Sequence, residues 1–120
     1  MQYDLEERTF EFAKRCRTFI RGIPRSITTI DDARQLVRAS GSVAANYIEA
    51  NEALSKKDFR MRLKISRKEA KESALWLRLL GTAPAVDMIE QAALWQESRE
   101  LTRIFSAIIT KTEPPRDGDV

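Results

Sequence analysis

The sequence predicts an all-α fold, an up-down-up-down antiparallel four-helix bundle, on three observations. Gly and Pro number only four each and gather mostly near 22–24, 81–84 and 114–118. That punctuation is too sparse for a sandwich or barrel, which needs turn signals about every 8–12 residues. Between the breaks, apolar residues return every three or four positions, the period of a helix with one buried face. The breaks are short, which favours antiparallel neighbours. A chain of 120 residues with 42% apolar and 32% charged side chains suits one globular domain around one core. The bundle is expected over 1–112, with a disordered tail over 113–120.

The first helix is expected over about 4–21, on a stripe of Leu5, Thr9, Phe12, Cys16, Phe19, Ile20 and Ile23. Gly22 and Pro24 end it. The second is expected to start at Thr28 as N-cap, with Asp31 three residues on. Its stripe is Leu36, Ser40, Val43, Tyr47 and Leu54. Gly41 falls inside this helix, where it costs about 1 kcal/mol relative to Ala, so it reads as a point of close helix packing. The third helix starts at Ser55, with Asp58 completing a weak capping box. Phe59, Leu63, Ser66, Ala70, Ser73, Leu77 and Leu80 then follow a strict 4-3 spacing, a coiled-coil-like seam. The fourth is expected over about 84–111, with Pro84 near its first position and Asp87 in its first turn. Its stripe is Val86, Ala93, Leu94, Leu101, Ile104, Phe105 and Ile108.

Helix three has two further faces. With Phe59 at zero and about 100° per residue, one group falls near 200–280°: Met61, Ile65, Glu69, Glu72, Trp76 and Leu79. Either neighbouring helices wrap widely enough to cover this second stripe, or it is a subunit interface. Off-stripe Phe10 and Trp95 add apolar surface, and aromatics and Met suit an interface core. The other group falls near 80–180°: Lys57, Arg60, Lys64, Arg67, Lys68, Lys71 and Arg78. Either it is a solvated surface or it is a phosphate-contacting stripe. No aromatic residue interleaves with these seven cations on that face, so a base-stacking platform is not expected there.

Charge is distributed unevenly. The net charge is +3, yet residues 1–80 carry +6 and residues 81–120 carry −3. Residues 56–78 alone hold nine basic side chains against Asp58, Glu69 and Glu72, and an anionic partner is one meaning of that asymmetry. Several chemistries are disfavoured. The chain has no His, hence no imidazole base and no His-ligated metal. It has one Cys, so no internal disulfide and no Cys-based zinc site. It has no glycine-rich phosphate loop. Glu49 and Glu52, and Glu69 and Glu72, share the i,i+3 spacing of di-iron bundles, but the His ligands are missing. Glu69 and Glu72 read instead as acceptors for Arg or Asn on another helix or subunit, and Asn46 and Glu49 flank the core stripe of helix two and could join such a network. Ser40, Ser66 and Ser73 read as small seam residues, and Cys16 as a small buried hydrophobe. No cofactor is expected. No apolar run approaches the length of a membrane span and the N-terminus lacks an apolar signal segment, so the expected compartment is the cytoplasm.

Gln35 to Ala50 (QLVRASGSVAANYIEA) resembles the helix-two motif of the 23S rRNA intervening-sequence proteins, also called S23 or four helix bundle proteins. Ser55 to Phe59 (SKKDF) and Lys68 to Leu80 (KEAKESALWLRLL) look like its third-helix motif, and Tyr3 to Thr9 like its opening. The resemblance covers about residues 3–111. The third-helix motif often has an aromatic before its Trp, where this chain has Leu75. The resemblance implies a four-helix bundle that assembles into a homopentamer with a central channel, and no catalytic activity. Some members are encoded within insertions in large-subunit rRNA genes. A related branch, the accessory variability proteins of diversity-generating retroelements, binds nucleic acid and a reverse transcriptase. By motif position, Asn46, Glu49, Lys68, Glu69, Glu72 and Trp76 are the residues that the resemblance marks. Together with the charge pattern this gives a non-enzymatic, homo-oligomeric bundle that contacts RNA through the basic face of helix three. The alternative is a protein-binding scaffold or accessory subunit with no nucleic-acid role.

Overall fold

The computed structural model describes residues 4–114, and all of the tail expected over 113–120 except Glu113 and Pro114 lies outside them. Four helices account for nearly all of it: α1 (Leu5–Arg21), α2 (Ile27–Asn51), α3 (Lys56–Leu80) and α4 (Met88–Thr112). Each helix packs on its neighbours in chain order and α1 closes the ring against α4, the arrangement of an up-down-up-down bundle. The α2–α3 pair is the most closely apposed and the α1–α4 pair the least.

The core is the predicted seam. Leu63, Ser66, Ala70, Ser73, Leu77 and Leu80 of α3 are fully buried, and so are Leu36, Ser40 and Val43 of α2. Phe59 and Tyr47 lie at its edge, and Tyr47 packs on Phe105 of α4 with ring centroids 6.1 Å apart. The buried serines satisfy themselves on backbone carbonyls. Ser66 donates to Val43 across the α2–α3 interface at 3.0 Å, and Ser73 to Glu69 one turn back at 2.9 Å. Small, internally satisfied side chains let the two helices approach without orphaned polar groups. Gly41 serves the same purpose against α1, since a Cβ there would come within 3.3 Å of the Arg17 guanidinium. Cys16 is fully buried, which pushes its thiol pKa up to about 12.

Three expectations need correction. The N-cap of α2 is Ser26, not Thr28. Ser26 accepts from the Thr29 N–H at 3.1 Å while the Thr29 hydroxyl accepts from the Ser26 N–H at 2.8 Å, a reciprocal capping box. Thr29 also donates to Pro24 at 3.0 Å, a link to the preceding loop that Thr28 and Asp31 lack. Leu54 is 98% exposed, because α2 ends at Asn51 and the helical period does not carry past it; Ala50 closes the stripe instead. Helix α4 starts at Met88 with Asp87 as its N-cap, not at Pro84. Ala85 has φ +61°, a left-handed conformation that interrupts any helix begun at Pro84. Val86 thus falls before the helix, and the buried stripe of α4 is Leu94, Ser98, Leu101, Phe105 and Ile109, with Ala93 exposed one position off it.

Candidate nucleic-acid interface

The seven cations of α3 divide by their distance from α4. Arg60 donates to the Thr112 carbonyl at 2.7 Å and Arg67 to the Ser106 hydroxyl at 3.2 Å, so both are partly covered and tie α3 to α4. Lys57, Lys64, Lys68, Lys71 and Arg78 face solvent. They are spread over about 30 Å of helix. None of the five has an acidic partner within ion-pair distance among the described residues.

The reason lies on the far side of α4. Its three glutamates all point to α1. Glu97 accepts from Arg8 Nε at 2.8 Å and Nη2 at 2.9 Å, Glu100 accepts from Arg8 at 2.9 Å, and Glu90 accepts from Arg15 at 2.9 Å. Hydrogen bonding to Glu97 and Glu90 raises the pKa of Arg8 and Arg15 respectively, against the opposing effect of burial. With the acids of α4 committed to α1, the side of α4 that meets α3 keeps only cations.

There α3 and α4 enclose an open groove of about 350 Å³. Lys71 and Arg78 line it from α3, Arg99 and Arg103 from α4, and no acidic residue lines it. Its floor holds Trp95, and Leu75 stands at its lip. The Arg99 guanidinium lies over the Trp95 ring, 5.2 Å from the centroid. Sequence reasoning assigned the basic face to α3 alone and found no aromatic within it. The fold supplies one from a different helix. Arg99 and Arg103 went unnoticed because residues 81–120 together carry −3; the signal was their i,i+4 spacing with Trp95 also four residues before Arg99.

The second stripe of α3 divides as well. Met61 is 53% exposed, Ile65 and Trp76 are half-buried, and the Trp76 indole N–H is buried with no acceptor among the described residues. Glu69 is instead buried within the chain, where Arg38 of α2 donates to it at 2.8 Å and to Glu72 at 3.1 Å. Burial raises the Glu69 pKa, but hydrogen bonding with Glu72, Arg38 and Ser42 outweighs it and holds the carboxyl below its ordinary value. Hydrogen bonding to Glu69, then burial, holds Glu72 above its own. Asn46 reaches this cluster through Ser42. Its amide donates to the Ser42 hydroxyl at 2.9 Å and to the Ser42 carbonyl at 3.0 Å, Ser42 in turn hydrogen-bonds Glu69, and the Asn46 carbonyl accepts from Arg62 at 3.2 Å. Glu49 is exposed and lines a shallow cleft with Arg62, Met61 and Ile65 at the far end of α2.

Among the described residues, no three His, Cys, Asp or Glu side chains converge to hold a metal ion, and no helix is long and apolar enough to cross a membrane. No curated protein matches the chain. A crystal structure of a protein with unknown function from the S23 ribosomal protein family, from Bacteroides thetaiotaomicron, is similar to it. The TM-score is 0.77 at 27% sequence identity, over 87% of this chain and 96% of that one. The model of the 23S rRNA-intervening sequence proteins matches residues 1–110, which takes in α1 to α3 and all but the last two residues of α4. The helices that build the seam, the Arg38–Glu69 cluster and the cationic groove thus lie almost wholly within that match, and the chain belongs to the 23S rRNA-intervening sequence protein family.

Proposed function

We infer that this protein is a non-enzymatic, cytoplasmic bundle that works as a homo-oligomer and binds RNA through the basic face of α3. The carrying observation is the sorting of charge. Arg8 and Arg15 of α1 and Arg38 of α2 are held by carboxylates and Arg60 of α3 by a carbonyl, whereas Lys57, Lys64, Lys68, Lys71 and Arg78 stand together with no acid between them. Cations left in mutual repulsion along one face gain most from a ligand of closely spaced phosphates, which releases its counterions as they bind. The exposed apolar residues Ile48, Met61 and Leu79 favour self-association around the second stripe of α3. A ring of five, the assembly that the family resemblance implies, would repeat the basic face and add its contacts by avidity.

The test is RNA affinity measured at several salt concentrations for the wild type and for a Lys64→Gln, Lys68→Gln, Lys71→Gln triple variant. All three side chains are exposed, so the fold is expected to survive. The variant should bind every RNA more weakly, with the slope of log K against log salt reduced by about 2–3. Wild type that binds no RNA near ~50 mM salt would remove this reading and leave the scaffold alternative.

A further inference from the structure

We propose that the groove between α3 and α4 is a site for unpaired nucleotides, with the Trp95–Arg99 stack as the platform for a base. The inference rests on the reading of the basic face as a nucleic-acid surface, and adds to it the class of nucleic acid. Three features meet in the groove and nowhere else among the described residues. An aromatic plane lies half-buried in its floor, fixed on the middle of a helix. The Arg99 guanidinium carbon lies over that ring, 5.2 Å from its centroid. Lys71, Arg78 and Arg103 stand around the pair with no acidic side chain in the lining.

Each feature excludes a different ligand. Charge alone would suit any polyanion, duplex or acidic peptide included. A duplex keeps its bases stacked on each other and offers only its phosphates and groove edges, so it cannot use the floor. An acidic peptide can meet the cations but brings no aromatic plane for Trp95. An unpaired nucleotide uses both, its phosphate on the rim and its base on the indole or the outer face of the Arg99 guanidinium. The volume of about 350 Å³ is enough for a nucleotide and small for a folded element. Leu75, 47% exposed at the lip, gives apolar cover to one edge of a seated base.

The experiment compares three ligands on the full chain at one salt concentration. They are an oligouridine of about 12 nucleotides, the same backbone without bases, and a duplex of equal length. Oligouridine is chosen because its bases scarcely stack on one another. Wild type should bind it about tenfold more tightly than the abasic strand. Trp95→Leu should lose that margin while still binding the duplex with an unchanged salt slope. Trp95→Phe, which keeps a ring, should retain most of the margin, and this separates lost stacking from a disturbed groove. In a Trp76→Phe background, the fluorescence of Trp95 should be quenched by oligouridine and not by the abasic strand. Equal affinity of wild type for oligouridine and its abasic counterpart would overturn the proposal and leave the basic-face reading intact. So would polyglutamate competing as well as oligouridine does. Binding to none of the three nucleic acids would overturn both.

Discussion

On one flank α4 meets α1 through glutamates held by arginines; on the other it meets α3 across a groove of cations with no acid. The two flanks also differ in packing. The α1 and α4 backbones approach least of any neighbouring pair, and Arg8 and Arg15 bridge the space with guanidinium–carboxylate bonds. The α3 and α4 backbones run closer, tied by Arg60, Arg67 and the Gln91 amide, which donates to the Leu77 carbonyl at 2.9 Å. Gly81 permits that last approach, since a Cβ there would come within 2.9 Å of the Gln91 amide nitrogen. The difference teaches that helix α4 keeps its acids where they hold the fold and its free cations where they line an open groove. Partly buried pairs stabilise modestly, whereas unpaired cations repel one another and contribute nothing to the fold. The first flank thus serves stability, and the second is left open for the recognition proposed above.

The largest expected effect comes from the residue row that both flanks share. Phe105 lies on the core face of α4, fully buried against Tyr47. Phe105→Ala should cost about 3–5 kcal/mol in a urea or guanidinium melt, through lost transfer energy and a residual cavity. A loss under about 1 kcal/mol would mean that the flanks, not the shared core, hold α4 in place.

The comparison itself is tested by one substitution on each flank. Arg8→Ala leaves Glu97 and Glu100 without their partner and should cost about 1–2 kcal/mol. Arg103→Gln, on the groove side, should change stability by no more than about 0.5 kcal/mol. Cys16 reports the same contrast kinetically. Its thiol is fully buried with its pKa raised to about 12, so a thiol reagent near neutral pH reaches it only when α1 opens. Arg8→Ala should speed that labelling by about 5–30-fold, and Arg103→Gln should leave it unchanged. Equal labelling rates in the two variants would erase the distinction between the flanks.

The smallest effect is a control that neither flank touches, the Glu69–Glu72 pair under Arg38. Glu69, held below its ordinary value, adds stability above an unfolded pKa of about 4.3 and loses it as the pH falls through its folded value. Glu72, held above its ordinary value, does the reverse: its contribution is present below that pKa and lost as the pH rises through its folded value. The two oppose each other, so the wild-type profile in mild acid should be shallow. Glu72→Gln should leave the Glu69 term alone and steepen the acid-side loss by less than about 1 kcal/mol, read from melts between about pH 3 and 6. A wild-type profile already as steep as the variant's would show that the pair does not share its proton in this way.

Much of this molecule was determined by the sequence alone. The 4-3 spacing from Phe59 to Leu80 specifies one buried face, because side chains that recur every 3.5 residues must point the same way on a helix whatever they pack against. The small residues at Ser40, Gly41, Ser66 and Ser73 likewise announced close helix approach. Where local signals competed, the sequence misled. Ser26, Thr28, Thr29 and Asp31 all suit an N-cap region, and only the reach of Thr29 back to Pro24 selects Ser26. Pro84 suits a first helical turn, and only the left-handed Ala85 moves the start to Met88. The candidate site was half legible. The cations of α3 are neighbours on one helix and follow from a period of 3.6. Trp95, Arg99 and Arg103 are eight or more residues beyond the loop and meet Lys71 and Arg78 only because α4 runs antiparallel beside α3 at one rotation about its axis. That rotation is set jointly by the core stripe from Leu94 to Ile109 and by the capture of Glu90, Glu97 and Glu100 on α1. Periodicity within a helix fixes which side chains share a face. Which faces of two helices come together depends on packing and charge pairing across the whole bundle, and tertiary structure alone decided it.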